Sequence, residues 1–226
     1  MTAEFTLSPE RPAEFIPELR LVADGVSRSF GPRKVIRSLS LEVASGEVLA
    51  VRGANGSGKS TLLRLLAGLL RPTGGETWVE VRGRRVSREQ RWAMAALAAP
   101  AIQPYLHLTL AENLRFLGAA RGGAPDAGSV ADLCRLVGLS DRRDEPVASF
   151  SSGMLQRVRL ALAVAARPPV LLLDEPSQCL DGEGRALVAK IVEAQRSAGV
   201  CVIATNDDSD AAFADRSFVL EGSADA

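Results

Sequence analysis

Net charge is the first thing this chain lacks. Its 226 residues carry 27 Lys and Arg against 27 Asp and Glu, so no general basic field points to nucleic acid as a partner. Arg greatly outnumbers Lys within that balance, which puts many planar donors on the surface. Cysteine is sparse as well. Cys134, Cys179 and Cys201 are odd in number, widely spaced and without a C-x-x-C pair. This excludes a zinc site or a disulfide frame and reads as unpaired thiols in a reducing compartment. No apolar run approaches the ~18 residues of a membrane-spanning helix. The start, MTAEFTLSPERPAEF, holds acidic side chains where a secretory leader would be basic. The expectation is a chain that neither crosses a membrane nor enters the secretory path by itself. Aromatics make up only 4% of the residues, and His107 is the single histidine.

What the chain does have is glycine in a specific pattern. Gly53-Ala54-Asn55-Gly56-Ser57-Gly58-Lys59-Ser60-Thr61 fits G-x-x-x-x-G-K-[ST] at every specified position. The stretch follows the apolar run Val48-Leu49-Ala50-Val51 and precedes Leu62, Leu63, Leu65, Leu66, Leu69 and Leu70. That is the strand, loop and helix context the motif requires. Glycines let backbone N–H groups turn inward without Cβ clashes, and the new helix directs its free N–H groups and positive dipole end at an anion. In this reading Asn55 to Thr61 cradle phosphate, Lys59 reaches the terminal phosphates and Ser60 binds Mg²⁺.

Taken in order, residues 1 to 18, with Pro9, Pro12 and Pro17, suit a loosely attached arm. From Leu19 the pattern is strand-like: Leu19 to Ala23, Val26 to Phe30, a Gly31-Pro32 turn, Val35-Ile36, then Leu39 to Val43 in alternation. These predict an antiparallel sheet leading into a first parallel strand at Glu47 to Val51. Phe30 is an aromatic just before a turn; it could stack on a base, although from its own context a strand aromatic is more often core. Glu76 to Val81 reads as an edge strand, and Arg82-Gly83-Arg84-Arg85 as a solvated basic turn. Thr109 is expected to cap a helix set by Leu110, Leu114 and Leu117, with Glu112 completing a capping box. Gly122 to Gly128 reads as a flexible connection, and Val130 to Val137 as an amphipathic helix closed by Gly138.

Phe150-Ser151-Ser152-Gly153-Met154-Leu155-Gln156-Arg157 opens a nearly all-apolar helix. Its hydroxyl-rich start is either a second anion site or an ordinary N-cap. Val170-Leu171-Leu172-Leu173-Asp174-Glu175 is a short apolar strand ending in two carboxylates. Such a strand belongs in the middle of a parallel sheet, with its C-terminal end beside the glycine-rich loop. Asp174 would hold Mg²⁺ and Glu175 would polarise an attacking water. A helix follows from Asp181-Gly182 to about Ala198. Val200 to Thr205 is another buried strand, ending at Asn206-Asp207-Asp208, and Phe218 to Glu221 is a last short one.

The glycine-rich loop, Ser-Ser-Gly-Met-Leu-Gln at Ser151 and Leu-Leu-Leu-Asp-Glu-Pro at Leu171, in that order, resemble the ATP-binding cassette ATPases over Leu19 to Leu220. The resemblance implies an α/β fold of the P-loop NTPase class, in one domain from 19 to 226. It would have a parallel core sheet, an N-terminal antiparallel β subdomain and a helical signature subdomain at about 100–160. It implies ATP and Mg²⁺ as ligands, with Phe30 stacked on adenine, Ser60 and Asp174 on the metal, Lys59 on phosphate and Glu175 as base. Ser151, Ser152, Gly153 and Met154 fall on the family's signature, with Met in a variant position. The signature closes on ATP held by a second subunit, so a homodimer sandwiching two nucleotides head to tail is implied. Leu180-Asp181 matches the loop that signals between the two sites. Membrane-spanning permease chains would bind through Pro100 to Phe116, placing the protein in the cytoplasm, peripheral on the inner face of the cell membrane. Leu108 to Leu117 and Asp144 to Arg157 look like export-type cassettes, similar to the haem-exporter ATPase of cytochrome c maturation.

Two family positions are filled differently. Asn206 stands where the family has a switch histidine; it can donate a hydrogen bond to phosphate but cannot ionise. The glutamine that ends the strand near residue 100 and senses Mg²⁺ aligns with Pro100 or Ala101, while Gln103 lies two or three residues late. Either the loop is remodelled so that Gln103 substitutes, or the contact is absent. Two other functions compete with transport. One is a soluble cassette ATPase acting on DNA or ribosomes, which usually carries coiled-coil insertions, zinc motifs or tandem cassettes that this chain lacks. The other is a slow-hydrolysing regulatory nucleotide-binding module, against which the intact Glu175 argues.

Overall fold

The computed structural model describes residues 18–120 and 126–221; the arm at 1–17 and most of the Gly122 to Gly128 connection lie outside them. Strands β1 (Leu19–Phe30) and β2 (Arg33–Ala44) form a long antiparallel hairpin about Gly31-Pro32, paired from Arg20↔Ala44 to Phe30↔Arg33. The two segments expected on either side of Asp24-Gly25 are one strand. Its register shifts between Ala23 and Ser29, and Gly25 at φ +57° takes the left-handed turn that such irregularities use. β3 (Val48–Arg52) leads through the glycine-rich loop into α1 (Lys59–Leu66). Leu62, Leu63, Leu65 and Leu66 of that helix are fully buried, each contributing about 1.5–3 kcal/mol of apolar burial.

β4 (Gly74–Val81) joins the antiparallel sheet, and here the edge-strand expectation is corrected. The order is β2-β1-β4-β5, so the two-residue β5 (Arg84–Arg85) takes the edge. Part of the basic turn is therefore structural: the Arg85 guanidinium lies 3.7 Å over the Trp78 ring and pairs with Glu76 at 3.0 Å. A short, charged strand of this kind protects an edge from further pairing.

After α2 (Arg88–Met94) come β6 (Ala95–Ala98), α3 (Leu110–Ala120), α4 (Ala127–Leu136), α5 (Ser152–Ala165), β7 (Val170–Asp174), α6 (Gly182–Arg196), β8 (Val200–Ala204), α7 (Asp208–Ala211) and β9 (Arg216–Val219). The second sheet has five strands in the order β6-β7-β8-β3-β9, and every pairing in it is parallel. Val48 to Val51, Val170 to Leu173 and Val200 to Ala204 are fully buried, as continuous apolar runs in a sheet covered on both faces should be. One face packs through Leu49, Val51, Leu172 and Val202 on α1 and the antiparallel sheet; the other packs through Leu171, Leu173 and Ile203 on α3, α5 and α6. The mixed α/β architecture is the expected one, with the helices α3 to α5 inserted between β6 and β7.

α3 begins as expected: Thr109 N donates to Glu112 Oε2 (2.8 Å) and Glu112 N to Thr109 Oγ1 (3.1 Å). The preceding turn is held by Asn113, a buried side chain that accepts from Tyr105 N and donates to the Tyr105 and Thr109 carbonyls. α4 starts earlier than predicted because Asp126 caps it, accepting from Ser129 N at 2.7 Å.

Among the described residues no helix is long and apolar enough to cross a membrane. The thiols differ sharply in access. Cys134 and Cys201 are buried, and burial pushes the Cys201 thiol up to about 12, whereas Cys179 is exposed. Brief maleimide treatment of the native protein at neutral pH is expected to modify Cys179 alone, read by peptide mass spectrometry. Equally fast labelling of Cys201 would contradict the packing of β8.

Candidate functional site

The C-terminal ends of β3, β7 and β8 lie side by side, and the polar residues just beyond them converge. Backbone geometry explains the glycines. At Gly53 (φ +153°) a Cβ would lie 2.5 Å from the Leu220 carbonyl oxygen, and at Gly58 (φ +105°) 2.9 Å from Val35. Gly58 also serves as the N-cap of α1, and no side chain caps it. The first N–H groups of the helix therefore remain available to an anion. Ser57 adds a buried hydroxyl with no hydrogen-bond partner beside the same loop.

Lys59 is 6% exposed. Its ammonium folds over the loop, donating to Gly53 O (2.7 Å), Ala54 O (3.4 Å) and Asn206 Oδ1 (2.9 Å), with Glu175 Oε1 at 3.7 Å. Ser60, one residue on, faces the carboxyl of Asp174 across the cleft. Burial raises the pKa of that carboxyl, while the Ser60 contact and the Lys59 charge work against the rise. These groups, with Phe30, Arg33, Asn55, Gly56, Gly58 and Thr61, line one cleft of about 440 Å³. Phe30 stands half-exposed at its mouth, with the Arg28 guanidinium stacked 4.4 Å from its ring centroid. Arg33 is a cation at the cleft that the sequence reading passed over.

Glu175 takes a positive φ of +48°, a sparsely populated conformation for a side chain of this kind and one found at functional turns. The Glu175 N–H donates to Ala204 O (2.8 Å), locking the turn to β8. Its Oε2 receives the Thr205 hydroxyl (3.2 Å) and the Asn206 N–H (3.4 Å), which leaves Oε1 toward Lys59. Thr205 is fully buried, and its hydroxyl is also 3.3 Å from Asp210 Oδ2; Asp210 is itself buried and accepts from the Ser177 hydroxyl. A hydroxyl has one proton, so Thr205 serves one carboxylate at a time. Sequence reasoning missed Thr205, Ser177 and Asp210. The one available signal was an acidic residue on a short helix directly after a buried strand.

Asn206 joins two walls of the cleft: its Oδ1 accepts from Lys59, and its Nδ2 donates to Asn55 Oδ1 at 2.6 Å. Gln103 is not brought to the cleft. Its Nε2 donates to Pro100 O (2.8 Å), its Oε1 accepts from Arg159 (3.1 Å), and it lines a second, largely apolar cavity of about 260 Å³. Both ends of its amide are engaged away from the glycine-rich loop. Ser151, Ser152, Gly153 and Met154 also lie away from the cleft of their own chain. Ser151 caps α5, accepting from Met154 N (3.3 Å), and a Cβ at Gly153 would lie 2.8 Å from the Cys179 carbonyl oxygen. Asp181 caps α6 and pairs with Arg157 at 2.8 Å, tying Leu180-Asp181 to the same helix.

Comparison with known proteins agrees with this geometry. Residues 36–178 match the family model described as ABC transporter. An aliphatic sulfonates import ATP-binding protein of Pseudomonas entomophila (strain L48) is 36% identical over 222 residues, 97% of this chain and 79% of that protein. A cytochrome c biogenesis ATP-binding export protein of Rhizobium meliloti (strain 1021) is 37% identical over 192 residues, covering 82% and 90%. A dimeric bacterial ABC transporter cassette shares the fold with a TM-score of 0.78 at 22% identity, over 89% of this chain and 94% of that one. The ATP-binding subunit of another ABC transporter matches with a TM-score of 0.76 at 27% identity, over 88% and 85%. The family model spans more than half of the chain and the relatives exceed 30% identity over most of it, so the chain belongs to the ABC transporter family, as one of its ATPase domains.

Proposed function

We propose that the chain is the ATP-hydrolysing subunit of a membrane transporter, working as one half of a head-to-tail pair on the inner face of the cell membrane. The observation that carries this reading is the division of the site. Lys59, Ser60, Asp174 and Glu175 share one cleft, while Ser151 to Met154 present a helix N-terminus elsewhere on the chain. A second copy would bring that N-terminus to the cleft and supply the N–H groups that face the γ-phosphate.

In this mechanism Phe30 stacks on adenine and the loop N–H groups hold the phosphates. Lys59 exchanges its bonds to Gly53 and Asn206 for bonds to phosphate oxygens. The Ser60 hydroxyl and Asp174 carboxylate, which line the same cleft, are a small hard-oxygen set of the kind that holds Mg²⁺ together with a substrate phosphate. When bound, Mg²⁺ would neutralise charge building on the phosphates. Glu175 takes the proton from the water that attacks the γ-phosphate, giving ADP and phosphate. Thr205 and Asn206 hold its other oxygen in place.

Asn206 bears on the rate. As a neutral donor it offers roughly half the strength of a charge-assisted hydrogen bond, so Asn206→His is expected to raise turnover in the assembled complex. A histidine variant no faster than wild type would remove that explanation.

Transport is supported by the relatives, most of which are sulfonate import proteins such as the one at 36% identity, whereas export is supported by the cytochrome c biogenesis protein at 37%. Haem export in cytochrome c biogenesis rests on that one exporter. The large, half-exposed side chains of Leu69, Trp92, Tyr105 and Phe116 around the second cavity favour an apolar permease contact over a soluble assembly on DNA or ribosomes. Affinity purification from detergent-solubilised membranes, with ATPase assays on wild type and Glu175→Gln, tests the whole reading. A co-purifying membrane chain and Glu175-dependent hydrolysis are expected; hydrolysis without a membrane chain would favour the soluble class, and binding without hydrolysis a regulatory module.

A further inference from the structure

Phe30 ends β1 at the hairpin turn with its ring half exposed, so burial alone does little to fix it. Arg28 holds it instead. Residues two apart on a strand share a face, and the extra residue where the register slips between Arg28 and Ser29 is Val35 of β2, so β1 keeps its alternation from Arg28 to Phe30. The Arg28 guanidinium accordingly lies 4.4 Å from the ring centroid. One of its terminal nitrogens donates to Arg71 O at 2.9 Å, whereas its Nε is buried with no hydrogen-bond partner. A cation that gives up part of its hydration for one carbonyl is costly to place, and the contact with the ring offsets that cost.

The two faces of the Phe30 ring are used differently. Phe30 lines the cleft that holds Lys59, Ser60 and Asp174, and Arg28 does not. The guanidinium therefore covers the ring from outside the cleft and leaves the ring free to receive a flat group from within it. The carbonyl that anchors Arg28 belongs to Arg71, in the segment that follows α1, and α1 is the helix whose first turn carries Lys59 and Ser60. Arg28 thus ties the ring to the element that sets the position of the phosphate loop. On the reading that this cleft takes ATP with adenine on Phe30, we propose that Arg28 is a positioning residue for the base: it clamps Phe30 from behind, and bound adenine completes a three-layer stack of guanidinium, phenyl ring and purine.

The test compares the affinity of the full-length chain for ATP and for inorganic tripolyphosphate, which carries the phosphates without a base, by calorimetry on wild type, Arg28→Gln, Phe30→Ala and the double variant. Arg28→Gln is expected to weaken ATP binding roughly two- to fivefold, the worth of one cation–π contact at a partly exposed site. Its tripolyphosphate affinity should equal that of wild type, which shows that the phosphate loop is folded. In the assembled complex the same variant should raise KM for ATP by that factor with kcat held. Phe30→Ala is expected to weaken ATP at least about fivefold, as loss of a base-stacking ring does, and adding Arg28→Gln to it should cost nothing further. Unchanged ATP affinity in Arg28→Gln, an equal fall for tripolyphosphate, or an equal further loss in the absence of Phe30 would each overturn the proposal while leaving the ATPase reading in place. A Phe30→Ala chain that binds ATP as tightly as wild type would overturn the adenine stack and the proposal together. Failure of wild type to bind ATP would overturn the ATPase reading itself along with both.

Discussion

Replacing Glu175 by Gln is expected to lower ATP hydrolysis by about two to four orders of magnitude, the usual contribution of a positioned general base, with nucleotide binding retained. The substitution keeps the shape of the side chain and its place at the end of β7. The amide oxygen can still accept from the Thr205 hydroxyl and the Asn206 N–H, so the turn stays locked to β8. What it loses is the carboxylate oxygen 3.7 Å from Lys59, the one side of Glu175 left open to the cleft. Phosphate release measured beside nucleotide affinity separates the two effects. If the variant keeps more than a tenth of wild-type activity, Glu175 is not the base. Because bound ATP would then persist, the same variant with ATP is expected to migrate as a dimer in sedimentation, whereas wild type with ADP is expected to migrate as a monomer.

The second large effect is expected far from that carboxylate. Ser152→Glu places a negative charge in the first turn of α5, where the helix dipole favours it by about 0.3–1 kcal/mol. Ser152 is exposed, and Ser151 rather than Ser152 caps the helix. The variant should therefore melt at or slightly above the wild-type temperature. Yet it is expected to lose hydrolysis by on the order of a hundredfold or more, because a single electrostatic contact to developing charge is worth that much and here its sign is reversed. Calorimetry and phosphate release on one sample decide it. A stable, fully active variant would mean that this helix N-terminus never faces a phosphate.

Much of the architecture could be read from the chain because its signals are local. Val170 to Asp174 is a run of buried apolar residues bounded by Pro169 and Glu175, and the Gly53 to Thr61 loop declares its geometry by where only glycine fits. The misreadings arise where distant contacts override local pattern. Asp24-Gly25 looks like a break between strands, but pairing of β1 with β2 and β4 carries the strand through it. Glu76 to Val81 looks like an edge until Arg84 and Arg85 pair with its end. At the site, Lys59, Asp174 and Glu175 were legible because motif spacing names them. Thr205, Ser177 and Asp210 were not, since their meaning depends on three chain segments meeting behind Glu175. Gln103 was ambiguous for a related reason: the sequence left open whether it takes up a metal contact, and its bonds to the Pro100 carbonyl and the Arg159 guanidinium depend on segments that meet only in the fold.

On the proposed function each cleft is completed by the signature of another copy, and mixing two inactive variants is the sharpest test of that shared site. Lys59→Met disables the phosphate loop and Ser152→Glu disables the signature helix, so each alone should be inactive in the assembled complex. In a mixed pair, the loop of the Ser152→Glu chain meets the intact signature of the Lys59→Met chain, and that one site is whole. Co-assembly is expected to restore ATP hydrolysis well above either variant alone. Mixed complexes as inactive as their parents, with both chains shown to be present together, would contradict a shared site.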